Sequence, residues 1–184
     1  MHLHRNQRLL LLTSALILAY SRSLHGQVVS TDTSQGSHWI TAGVGITRWQ
    51  NRPGFGFEIG YSNMFSSGLF SARFRYFEMT LTKDPFLPNE RQVQDITELG
   101  GLYGLQLQQG WFCFCASGGI AMVATKEQNN GVIERFYSIA LPIESQLLLE
   151  PLSFLGIGIS LFANLNSKAS FSGVALSVQI GRLR

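Results

Sequence analysis

Charge is scarce in this chain: Asp, Glu, Lys and Arg make up 14% of it, with a formal net charge of +3. No basic run or basic helix gathers that small excess, which excludes a nucleic-acid-binding surface. Cysteine is almost missing. Cys113 and Cys115 are the only two, too few for a disulfide scaffold. At positions i and i+2 of a strand they point to the same side, where a disulfide between them would be strained. No histidine lies near them in sequence, so they make a poor metal site and are read as small interior fillers. Histidine itself is limited to His2, His4, His25 and His38, which removes the usual base of hydrolytic chemistry from nearly all of the chain. Long apolar runs are missing too. After the first twenty residues no stretch reaches the roughly 18 uninterrupted apolar residues of a membrane-spanning helix. If the chain crosses a membrane, it does so with strands.

What the chain does have is alternation. Leu155–Leu161 and Val174–Ile180 switch between aliphatic and small or polar residues at every step, the period of a strand with two unlike faces. One face is continuously oily, and the other is too small and polar to be a core. That combination suits a strand with lipid on the oily side and a narrow lumen on the other.

The first residues fit the same compartment. Arg5 and Arg8 precede an apolar run from Leu9 to Tyr20, which is too short to span a bilayer as a helix and has the layout of a secretory signal peptide. The reading is signal peptide over 1–26, a periplasmic lead-in over 27–37 and a barrel over 38–184. The mature chain then divides into eight alternating segments. Strand one, near Trp39–Trp49, turns Ile40, Ala42, Val44 and Ile46 outward, and Asn51–Gly54 breaks it. Strand two turns Phe55, Phe57, Ile59 and Tyr61 outward and Glu58 inward. Strand three turns Phe70, Ala72, Phe74 and Tyr76 outward and Arg73 and Arg75 inward, since arginines facing lipid would be very costly.

Lys83–Arg91 reads as a charged, proline-bearing loop. Strand four places Glu98 inward, Gln109-Gly110 signals a tight hairpin, and strand five places both cysteines inward. Lys126–Arg135, with Asn129-Asn130-Gly131, reads as a second long loop. Strand six places Glu144 and Gln146 inward, and Pro142 in its middle predicts a bulge. Glu150–Leu152 and Asn166–Lys168 turn the chain into strands seven and eight. A two-residue turn at Ser66-Ser67 sets Glu58 opposite Arg75, with Arg73 one diagonal step away. Glu58, Arg73, Arg75, Glu98 and Glu144 are therefore expected to form a charge network in the lumen.

The eight alternating segments and the glycine-bearing end Val178-Gln179-Ile180-Gly181-Arg182-Leu183-Arg184 resemble the small outer-membrane barrels of the outer-membrane protein A and X type from Gram-negative bacteria. The resemblance is one of pattern over the whole mature chain. It implies an all-β fold, an eight-stranded antiparallel up-and-down transmembrane β-barrel, residing in the outer membrane. It also implies outer-membrane lipid, periplasmic chaperones and the barrel assembly machinery as partners. Many members end in an aromatic residue; this sequence ends in Arg184.

Function follows in outline. The expectation is a structural, adhesive or minor pore role without catalysis or cofactor, and an extracellular partner at the loops 83–95 and 126–135. A soluble lipocalin-like ligand-binding barrel is the alternative, and it predicts large apolar residues on the inner face. A lipid-modifying barrel enzyme is a further one, for which no outer-side histidine is available.

Overall fold

In the folded chain, sequence alternation becomes alternation between outside and inside. The computed structural model describes residues 36–49, 52–65, 68–79, 92–129 and 132–183. Segment 1–26, lead-in residues 27–35 and Lys83–Arg91 lie outside the described residues. Strands β1 (His38–Trp49), β2 (Arg52–Phe65), β3 (Gly68–Met79), β4 (Gln92–Gln109), β5 (Phe112–Asn129), β6 (Val132–Leu152), β7 (Leu155–Leu165) and β8 (Phe171–Arg182) pair in chain order. Each pair is antiparallel, and β8 returns to β1 to close the barrel. Closure leaves the spanning part without an open edge.

The outer surface is apolar. Ile40, Ile59, Leu99, Ile120, Leu147, Ile159 and Leu176 all stand exposed on it, up to 78% for Ile139. Their inward neighbours are buried, and the tightest places admit no side chain: a Cβ on Gly56 would lie 1.8 Å from the Tyr76 carbonyl oxygen. Gly110, with φ of 61°, opens the β4–β5 turn. This turn is Gly110-Trp111, one residue later than the sequence reading, because Gln109 still pairs with Phe112.

Several boundaries differ from expectation. Of the break expected at Asn51–Gly54, the last three residues belong to β2, which starts at Arg52; Pro53 pairs with Arg48 near the strand end, where a missing donor is tolerated. The long loop expected at 126–135 is mostly strand: Lys126 pairs with Arg135 and Asn129 with Val132. Polar composition misled there, because a strand continuing beyond the apolar belt needs no apolar face. The same holds for Gln92–Asp95, which begins β4.

Pro142 produces no bulge. On the β7 side it pairs in register with Asn164; on the β5 side the ladder lapses between Gly118↔Ile143 and Ala121↔Ala140 and resumes in the same register. The register shift on β6 falls instead between Leu149 and Leu152, around Pro151, and β6 continues to Leu152 where the sequence placed a turn.

The lumen is also different from the small, polar interior expected. At the end holding both barrel termini, Trp39, Leu69, Cys113, Cys115, Leu148 and Leu183 cluster. Toward the other end Trp49, Phe77, Met79, Ile96, Phe162 and Phe171 form a second cluster. An eight-stranded barrel must be filled by its side chains, and here two apolar layers enclose a polar one. Along β3 the order is Leu69, Ser71, Arg73, Arg75, Phe77.

Candidate functional site

The β2–β3 hairpin aligns the first charged pair. Phe65 faces Gly68, and counting back sets Glu58 opposite Arg75 and Gly60 opposite Arg73. On the next strand Arg75 is opposite Glu98. All of these side chains point inward, together with Glu144 from β6, and each is at most 2% exposed.

Arg75 is the hub. Its Nε donates to Glu58 at 3.1 Å, its Nη1 to Glu98 at 2.8 Å, and its Nη2 to Glu144. Its guanidinium carbon also lies 4.6 Å from the centre of the Phe162 ring, so the cation rests against the aromatic layer. Arg73 was expected within reach of Glu58. Its Nε instead donates across the lumen to Glu144 at 3.3 Å, and its Nη1 is buried without a partner.

Uncharged donors complete the cluster. Ser160 donates to Glu58 at 3.1 Å, Asn164 to Glu98 at 2.5 Å, and Gln146 to Glu144. Every oxygen of the three carboxylates thus accepts a hydrogen bond, which is what a buried charge requires. Asn164 and Phe162 escaped the sequence reading, although the inward parity that placed Ser160 extends directly to them. The five residues singled out as a lumen network are brought together; their geometry is that of a structural cluster with satisfied carboxylates, linking β2, β3, β4 and β6.

Gly60 makes room for it. A Cβ there would lie 1.9 Å from Arg73 Nη1 and 2.9 Å from its guanidinium carbon. Gly60→Ala is expected to push Arg73 off Glu144 and cost about 1–3 kcal/mol, the usual penalty of overpacking. Gly101→Ala is the control, since a Cβ at Gly101 meets nothing within 4 Å. Urea unfolding of both variants in lipid or detergent measures the difference; equal midpoints would remove the steric role from Gly60.

A second charged feature lies outside. Glu78, Asp95, Lys126 and Arg135 are successive cross-strand neighbours on β3 to β6. Lys126 lies 3.8 Å from Asp95. The row caps the oily belt at the end away from the termini, with Tyr137 exposed just below it. At the opposite end Phe65, Trp111, Phe112 and Phe154 are exposed. Aromatic residues at both limits of an apolar band are the mark of lipid interfaces. His38 is exposed at the terminal end of β1, opposite Asn63 and Arg182. Among the described residues no three metal-ligating side chains converge, and no helix is long and apolar enough to cross a membrane.

No protein-family model matches the chain, and no curated protein matches it by sequence. Solved structures do resemble it. Neisserial surface protein A superposes with a TM-score of 0.61 at 8% identity, over 79% of this chain and 96% of that one. Ail, the attachment invasion locus protein of Yersinia pestis, gives 0.58 at 13% identity, over 80% and 99%. The N-terminal β-barrel domain of Pseudomonas aeruginosa OprF gives 0.53 at 17% identity, over 80% and 99%. The chain has the fold of the small eight-stranded outer-membrane β-barrels.

Proposed function

We propose that the protein is an integral outer-membrane barrel with a structural and adhesive role and no catalytic activity. The observation that carries this reading is the continuous exposed apolar belt around a lumen filled by its own side chains. A lipocalin-like barrel in water would need a polar exterior; the large apolar residues inside do not favour it, because they pack against one another as plugs. A wide channel is disfavoured by the same filling. A lipid-modifying enzyme would need an activated nucleophile and base near the outer rim, whereas the lumen carboxylates are buried and saturated.

The adhesive part rests on the extension of β4, β5 and β6 past their neighbours. Among the described residues β3 pairs with β4 no further than Glu78↔Asp95, and β7 with β6 no further than Leu165↔Leu141. β4, β5 and β6 therefore continue past the belt from the row in which Lys126 and Arg135 are outward neighbours.

Cell fractionation tests the membrane residence. The protein should sediment with outer membranes and run faster on unheated than on heated gels. Recovery as a soluble periplasmic species would contradict it. Protease added to intact cells should cut within 80–91, because long connections at the outer end are the accessible ones. Cleavage at Gly110 would invert the topology.

A further inference from the structure

We propose that Cys113 and Cys115 form a binding site for trivalent arsenic inside the barrel, at the end holding both termini. Both cysteines are free and buried, and their Sγ atoms stand 3.7 Å apart on the lumen face of β5. A direct disulfide would require the sulfurs to close to about 2.05 Å, against the extended backbone of a strand held on both sides. One atom bonded to both sulfurs fits the existing separation.

The surroundings decide which atom. The thiols sit among Trp39, Leu69, Leu148 and Leu183, and the buried carboxyl of Glu150 lies against Cys113, so a further net negative charge beside it is costly. Zinc requires about four ligands, and among the described residues no three ligating side chains are arranged to hold a metal ion. A monovalent copper ion on two thiolates would leave an uncompensated negative charge. Arsenous acid avoids both difficulties: it is neutral, and two thiols satisfy it. The step is As(OH)3 + 2 RSH → (RS)2As–OH + 2 H2O. Two As–S bonds replace two As–O bonds, both thiol protons leave in the two waters, and no electrons are exchanged.

One hydroxyl remains on the arsenic, and the pocket holds a donor for it. The Trp39 indole Nε1 belongs to the same cluster and is buried without a hydrogen-bond partner. Access is short, because Cys113 pairs with Gln108, next to the Gly110-Trp111 turn.

The refolded barrel, in lipid vesicles, is titrated with arsenous acid and then denatured and assayed for free thiols. The expected result is one arsenic per barrel, with both thiols lost together. Cys113→Ser and Cys115→Ser, each checked for folding by heat-modifiable mobility, should weaken binding by about 100-fold or more, the advantage of making the second bond intramolecular. Cys113→Ala and Cys115→Ala serve if a serine variant fails to fold. Trp39→Phe should weaken arsenous acid and spare methylarsonous acid, which keeps no hydroxyl after chelation; equal loss for both would remove Trp39 from the site. Unchanged binding in the single-cysteine variants, or an adduct that forms only in the urea-unfolded chain, would overturn the proposal.

Discussion

Arg75→Gln should be the most damaging single substitution in the barrel, with a loss of roughly 3–5 kcal/mol or outright failure to fold. The reason is the number of charges it strands. Arg75 donates to Glu58, Glu98 and Glu144, and with it gone only Arg73, bonded to Glu144, faces three buried carboxylates. A single unpaired charge in a closed lumen is already costly. Glu58→Gln should cost less, because Arg75 keeps two partners. The double variant should then be more stable than the sum of the two losses implies, with a coupling of about 1–3 kcal/mol. Denaturant unfolding in detergent or lipid provides all four corners of the cycle. Coupling near zero for Glu58 with Arg75 would mean that the ion pair contributes nothing in solution.

Ile159→Arg should cost about 2–4 kcal/mol through a different mechanism, the placing of a charge in hydrocarbon. Ile159 is exposed in the middle of β7, paired with Leu147 on one side and Leu176 on the other, and both of those are exposed and apolar. An arginine there has little scope to reach a headgroup. Ile159→Leu should be nearly silent. The comparison is made by folding yield and unfolding midpoint in vesicles. If arginine is tolerated as well as leucine, the face of β7 is misassigned.

These two substitutions also mark what was legible beforehand. The inward assignment of Arg73 and Arg75 followed from cost alone, and the register Glu58↔Arg75 followed from a two-residue turn and a count. Such inferences succeed because a one-residue slip would turn the arginines onto the apolar outer face. The choice of partners was less accessible. Arg73 reaches Glu144 on β6, a contact across the lumen that strand pairing does not specify and only closure of the barrel creates.

The apolar plugs were also missed. Trp39, Phe77 and Phe162 sit at inward parity, and a filled lumen breaks the contrast of oily against small at its ends. Lys126–Asn129 and Val132–Arg135 failed for the converse reason. Hydrophobic alternation marks a strand only as far as the apolar belt extends, and beyond it the backbone pairing continues without a signal in composition.

The central claim is that lipid lies against the outward row and is excluded from the lumen. Fluorescence quenching by lipids brominated along the acyl chain tests it most directly, using two single-tryptophan forms. One carries Ile159→Trp with Trp39, Trp49 and Trp111 replaced by phenylalanine; the other retains only Trp39, buried in the lumen. The account predicts strong quenching at position 159 and little at Trp39. Equal quenching of the two, or none at position 159, would contradict it.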